Sequence, residues 1–138
     1  MPDLKICIVD DDEDDRYFLR EAVSEVIKSA QIVECSDGKE FLDFIQLVKP
    51  GDAPTLVLLD MNMPKINGLE VASFMQQHQQ YKDIPLIMVS TSQNKELEKQ
   101  AYSLGIQKYL VKPFSMDEYE TLIREINNTV IKELLQKP

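Results

Sequence analysis

The chain has 138 residues, 43% of them hydrophobic and 28% charged, the balance of one soluble domain large enough to bury a proper core and too short for an independent second one. A formal net charge of −9 at pH 7 opposes the phosphate-neutralising surface that nucleic-acid binding needs, and no apolar run approaches a membrane span. Met1-Pro2-Asp3 leads straight into a strand-like segment with no basic region or cleavage site, so neither a leader nor an anchor is expected; the expectation is a single cytoplasmic domain over 1–138, its core at about 4–127 and its last helix reaching about 135.

Leu4-Lys5-Ile6-Cys7-Ile8-Val9 is apolar and β-branched and predicts a first strand. It stops on Asp10-Asp11-Asp12-Glu13-Asp14-Asp15, after which Leu19, Ala22, Val23 and Val26 recur at helical spacing. Gln31–Cys35 is a second strand. Asp37 then offers an N-cap carboxylate with Glu40 three residues on, ahead of Phe41, Leu42 and Ile45, for a helix ending near Pro50-Gly51. The third strand, Leu56-Val57-Leu58-Leu59, is a run apolar at every position, as in a strand buried on both faces, and it ends abruptly on Asp60. Pro64-Lys65-Ile66-Asn67-Gly68 is turn chemistry leading to a helix carrying Leu69, Val71, Ala72 and Met75. Leu86–Ser90 is the fourth strand. Its helix presents Leu97, Ala101 and Leu104 on one face and ends at Gly105. Tyr109-Leu110-Val111 is the fifth strand, followed by Lys112-Pro113, and Ser115-Met116-Asp117-Glu118 is a capping box for a final helix.

Five strands alternating with five helices predict an α/β fold: a flavodoxin-like doubly wound parallel sheet, order 2-1-3-4-5, with helices on both faces in three layers. Parallel strands bring their carboxyl ends to one edge, which gathers Asp10, Asp11, Asp60, Ser90 and Lys112. A carboxylate at one strand end usually does no more than end the strand; several meeting at a switch point repel one another unless a cation lies between them. Oxygen-only ligands favour Mg²⁺, with Mn²⁺ as the alternative, over zinc. A lysine and a hydroxyl beside such a metal suit a tetrahedral dianion that a carboxylate nucleophile accepts as an acyl phosphate. Asp12, Glu13, Asp14 and Asp15 are expected to be a solvated, dipole-favoured helix entrance. Cys7 and Cys35 lack metal or redox spacing and are expected in the core, and His78, within Gln76-Gln77-His78-Gln79-Gln80, at an exposed helix end.

The pieces Val9-Asp10-Asp11, Leu59-Asp60-Met61-Asn62-Met63-Pro64 with Asn67-Gly68, Val89-Ser90 and Tyr109-Leu110-Val111-Lys112-Pro113-Phe114 together resemble a bacterial response-regulator receiver domain of the chemotaxis type, over essentially the whole chain. A paired acid or a Lys-Pro is weak evidence alone; all of them in order are specific. The resemblance implies that Asp60 is the phospho-acceptor, served by a sensor histidine kinase or a histidine phosphotransfer protein. It implies that Asp10, Asp11, Asp60 and the main-chain carbonyl of Asn62 hold the metal and that Lys112 contacts the phosphoryl oxygens. Ser90 would move toward the phosphoryl group and Tyr109 would swing inward behind it, with Lys112-Pro113 a cis peptide. The output would be a shift in the face made by the fourth helix, fifth strand and fifth helix, read by a downstream protein target.

Two departures bear on this. Thr91 stands where the family usually has alanine or glycine and narrows the approach to Asp60, while Asn67 replaces a frequent aspartate in a turn. The final helix carries Tyr119, Leu122, Ile123, Ile126, Val130 and Leu134, more apolar surface than one sheet face requires; a homodimer or a partner would cover it, unless the helix frays after Asn127. Ser90 and Thr91 also suit a cap on the following helix, and an aromatic such as Tyr109 in a strand also serves packing. Two other functions compete with a stand-alone phosphorelay receiver that is no enzyme beyond its own phosphorylation and dephosphorylation. One is a phosphorylation-independent interaction module, opposed by the intact Asp60 and Lys112. The other is an aspartate-nucleophile phosphatase, opposed by Asn62, which replaces the second carboxylate of a D-x-D pattern and removes the general acid.

Overall fold

Apolar strands alternate with amphipathic helices through residues 4–136, the part of the chain that the computed structural model describes. The elements are β1 (Leu4–Val9), α1 (Glu13–Val26), β2 (Ala30–Cys35), α2 (Gly38–Ile45), β3 (Thr55–Leu59), α3 (Gly68–Gln76), β4 (Leu86–Ser90), α4 (Lys95–Ser103), β5 (Lys108–Val111) and α5 (Met116–Ile126). All strand pairs are parallel, and the order is β2-β1-β3-β4-β5. This is the expected flavodoxin-like topology, in which β1 and β3 are neighbours with Val9 opposite Leu59, so the residues that follow them share one edge.

Strand alternation sends side chains to two separate cores. Ile6, Ile8, Leu56, Leu58, Ile87 and Val89 meet Leu19, Ala22 and Val23 of α1 and Tyr119, Ile123 and Ile126 of α5. Cys7, Val9, Val57, Leu59 and Met88 meet Phe41 and Ile45 of α2, Val71, Ala72 and Met75 of α3 and Ala101 of α4. β3 is buried along its whole length, as its unbroken apolar run requires. Cys7 and Cys35 are buried free thiols with sulfur atoms 3.6 Å apart.

Four local expectations change. α2 stops at Ile45, short of Pro50-Gly51: the backbone tightens into i→i−3 bonds, the Leu47 amide donating to the Phe44 carbonyl at 3.0 Å and the Val48 amide to the Ile45 carbonyl at 3.2 Å, and the Gln46 side chain turns back to donate to the Leu42 carbonyl at 2.9 Å. Asp37 does cap α2, accepting from the Glu40 amide at 2.7 Å, but the Glu40 carboxylate closes on Ser36, accepting from its amide and hydroxyl. The full reciprocal box belongs to α3, where Asn67 and Glu70 cap each other. His78 is half-buried, not exposed: its ring lies 4.3 Å from that of Phe74, with Nδ1 2.7 Å from the Phe74 carbonyl oxygen.

The fourth change concerns the last helix. It continues past Asn127 through a π-helical turn (Asn127–Ile131) into α6 (Lys132–Leu135). The wider turn resets the helical phase, and Val130 and Ile131 are buried at 7% and 1% exposure. Tyr119, Leu122, Ile123 and Ile126 are likewise covered, with Tyr119 stacked on Phe18 of α1 at 5.4 Å. The apolar stripe from Tyr119 to Val130 is thus covered by the chain's own α1 and sheet, while Leu134 at its end is half-buried. Among the described residues no helix is long and apolar enough to cross a membrane.

Candidate functional site

β1 delivers Asp10 and Asp11 to the carboxyl edge, and β3 delivers Asp60 beside them. The Asp10 amide donates to the Cys35 carbonyl at 3.1 Å and the Asp60 amide to the Val9 carbonyl at 2.9 Å, so the sheet ladder itself positions both backbones. Asp10 Oδ1 accepts from the Asp12 amide at 2.9 Å, and Asp12 in turn caps α1, accepting from the amides of Asp14 and Asp15. Asp10 and Asp60 are 1% and 5% exposed, whereas Asp11 is open to solvent. Gly68 closes the loop behind Asp60: its amide donates to the Met61 carbonyl at 2.9 Å, and a Cβ there would overlap the main-chain oxygen of Asp60. Only glycine lets α3 begin so near this loop.

Lys112, from the end of β5, reaches across the edge into these acids. Its Nζ lies 2.7 Å from Asp15 Oδ2, 2.9 Å from Asp10 Oδ2 and 3.2 Å from Asp60 Oδ1. The contact with Asp10 Oδ2 is an ion pair off the direction of a hydrogen bond, which leaves that buried oxygen without a donor in line. Burial, then repulsion from Asp10, pushes the Asp60 carboxyl up to about 6, against the pull of Lys112. Asp10 is raised too, chiefly by burial. Burial works to lower the Lys112 ammonium, but its carboxylate partners together hold it above the ordinary lysine value. The lysine therefore remains charged, and one cation is shared among several carboxylates.

One carboxylate oxygen from each of Asp10, Asp11 and Asp60 lies within 4.8 Å of the other two. Three hard oxygen donors, one pair buried and mutually repelling, suit a divalent cation of the Mg²⁺ or Mn²⁺ kind, and Asp10 Oδ2, which makes no hydrogen bond beside its ion pair with Lys112, offers it a ligand atom. Asn62 is exposed between the buried Met61 and Met63 on the loop beyond Asp60. Ser90 ends β4 fully buried, its hydroxyl accepting from the Ser92 amide at 3.1 Å. Thr91 beside it is exposed, and the cap of α4 is Asn94, not Ser90 or Thr91. Tyr109 is turned inward at 8% exposure and donates its hydroxyl to the Ser92 carbonyl at 2.8 Å. The Lys112–Pro113 bond is trans, against the cis bond that the resemblance implies; trans is the lower form of an X–Pro amide by about 0.5–1 kcal/mol.

Sequence reasoning missed Asp15 and Arg16. Asp15, expected among the solvated acids of the α1 entrance, instead makes the shortest contact of Lys112 with its carboxylate. The signal was present in the helix period: Asp15 precedes the buried Leu19 by four residues and so shares its inward face. Arg16 donates to the Asp10 carbonyl at 2.7 Å and pairs with Glu34 of β2, fixing the acidic turn from outside. Asp12, Glu13 and Asp14 are exposed as expected.

Fold and site together define a class, the flavodoxin-like domain with a cluster of carboxylates and one lysine where β1 and β3 meet. The family follows from comparison: residues 6–124 match the response regulator receiver domain, and the chain belongs to that family, the receivers of two-component response regulators. A chemotaxis protein CheY homolog from Campylobacter jejuni is 29% identical over 126 residues, 91% of this chain and 94% of that protein. Among solved structures, the phosphorylated cyanobacterial phytochrome response regulator RcpA superposes with a TM-score of 0.83 at 26% identity, covering 94% of each chain. The Mn²⁺-bound form of response regulator Rcp1 does so with a TM-score of 0.79 at 25% identity, over 93% of this chain and 94% of that one.

Proposed function

We propose that this chain accepts a phosphoryl group on Asp60 from a phosphohistidine of a sensor histidine kinase or a histidine phosphotransfer protein, and relays the signal through a changed protein-binding face. The observation that carries the reading is the approach of the charged Lys112 Nζ to 3.2 Å from Asp60 Oδ1, at a buried carboxylate flanked by two more. An Asp60 oxygen forms the new bond to phosphorus while the phosphorus–nitrogen bond of the donor breaks and the imidazole leaves with the bonding pair. Lys112 takes up negative charge on the transferred oxygens. Asp10, Asp11, Asp60 and the main-chain carbonyl of Asn62 would hold Mg²⁺, or Mn²⁺ in its place, whose charge offsets that of the phosphoryl oxygens and the clustered acids.

Ser90, buried at the end of β4, would supply the hydroxyl that serves the modified Asp60. Turning toward it means giving up the Ser92 amide, and Tyr109, which holds the Ser92 carbonyl, senses that change. Ser92 lies in the loop that leads into α4, so the signal would spread to the face of α4, β5 and α5, where Phe114 and Val111 stand exposed at 96% and 40%. A downstream protein target would read that face. Membership of the receiver family supports the reading, as do a neighbour solved as phosphorylated and another solved with Mn²⁺.

Incubation with Mg²⁺ and acetyl phosphate, followed by intact mass, tests it. The wild type gains one phosphoryl group and Asp60→Asn gains none. An unmodified wild type would point to an interaction module, and rapid turnover of unrelated phosphomonoesters to a phosphatase; either overturns the reading.

A further inference from the structure

We propose that Asp15 is a positioning residue that competes with the incoming phosphoryl group for Lys112. The inference rests on Asp60 being the acceptor. Lys112 has three N–H donors to distribute, and its three carboxylate partners are unequal. Asp15 is nearest at 2.7 Å and is the partner in hydrogen-bond geometry, Asp10 follows at 2.9 Å, and Asp60 is farthest at 3.2 Å. In the resting site the ammonium is therefore committed first to a residue of α1 and only last to the residue that reacts.

The geometry of α1 makes this a durable arrangement. Asp12 caps the helix through the amides of Asp14 and Asp15, which fixes the Asp15 backbone, and the buried Leu19 one turn on fixes the face it presents. Asp15 stands outside the set of oxygens from Asp10, Asp11 and Asp60 that suit a cation. A metal there draws on Asp10 and Asp60 and leaves Asp15 as the lysine's remaining carboxylate. Lys112 is then shared between Asp15 and a phosphoryl dianion on Asp60, and the Asp15 carboxylate draws the ammonium away from the phosphoryl oxygens. Asp15 thus weakens phosphoryl binding while holding its cation ready.

The sign of one substitution separates this from a purely supportive role. Beryllium fluoride, a mimic of the phosphoryl group, is titrated calorimetrically at saturating Mg²⁺ into wild type, Asp15→Asn, Asp15→Ala, Asp15→Glu and Asp14→Asn. Asp15→Asn and Asp15→Ala should bind about threefold to tenfold more tightly, the size of a partly exposed charge-assisted hydrogen bond. Unfolding does not produce tightening. Asp15→Glu keeps the carboxylate and should stay within about twofold of wild type, as should Asp14→Asn, which removes an exposed charge one residue away without touching Lys112. Unchanged or weaker binding in Asp15→Asn overturns the proposal, and so does equal tightening in Asp14→Asn, which would make the effect one of net charge. Where the wild type is phosphorylated by acetyl phosphate but Asp15→Asn fails to tighten, only this inference falls; a wild type inert to both reagents removes the acceptor reading and this inference with it.

Discussion

The two faces of the sheet are built differently. On the side of α1 and α5 the core is aliphatic and continuous, with Ile6, Ile8, Leu56, Leu58 and Ile123 at 1% exposure or less and the Phe18–Tyr119 stack joining the two helices. On the side of α2, α3 and α4 four methionines, Met61, Met63, Met75 and Met88, are packed with Tyr109 and the two thiols. Branched aliphatic side chains have few rotamers and lock a packing, whereas unbranched thioethers refill a space that changes shape. The methionine side is also the side of the loop after Asp60 and of the Ser90–Tyr109 region. One face is suited to hold the fold while the other yields to chemistry at the strand ends.

That contrast is breakable, and the largest effect should come from the rigid face. Ile123→Ala should cost about 3 kcal/mol of stability by transfer and cavity terms, whereas Met88→Leu on the other face should cost less than about 1.5 kcal/mol; denaturant midpoints compare them. Next in size is Asp60→Asn. Because the Asp60 carboxyl is raised to about 6 when folded, the folded state binds its proton more tightly than the unfolded chain, so metal-free wild type loses stability as pH rises from its ordinary value toward 6. The variant escapes this loss, and its advantage in thermal midpoint should be negligible near pH 4 and reach the equivalent of about 2–3 kcal/mol above pH 6. Added Mg²⁺ should shrink the gap.

Gly68→Ala comes third, at about 1–3 kcal/mol, because the added methyl meets the Asp60 main chain; it should slow phosphorylation by acetyl phosphate even where the protein remains folded. Tyr109→Phe is the smallest, about 1 kcal/mol for the lost hydroxyl bond to the Ser92 carbonyl, and its mark should be a changed response of α4 amide exchange to beryllium fluoride.

The architecture was legible in the sequence because β1, β3 and β4 are largely apolar runs that halt at a charge or a turn, and because Leu19, Ala22 and Val23 of α1 and Leu97, Ala101 and Leu104 of the fourth helical segment keep helical spacing within their segments. The edge shared by Asp10, Asp11, Asp60, Ser90 and Lys112 followed from parallel strands alone. What stayed hidden depended on phase and reach. Asp15 looked like one more solvated acid until α1 was oriented by Leu19. The π-helical turn at Asn127–Ile131 leaves no compositional mark, so the burial of Val130 and Ile131 could not be read from helical spacing. The trans Lys112–Pro113 bond and the packing of His78 on Phe74 likewise depend on tertiary surroundings.

Asp60, among several neighbouring carboxylates, is proposed as the one that takes the phosphoryl group. Wild type treated with Mg²⁺ and acetyl phosphate is reduced with borohydride, which converts an aspartyl phosphate to homoserine, and the digest is mapped by tandem mass spectrometry. Homoserine is expected at position 60 and nowhere else; homoserine at position 10, 11 or 15 in its place, or none at all, would rule Asp60 out as the acceptor.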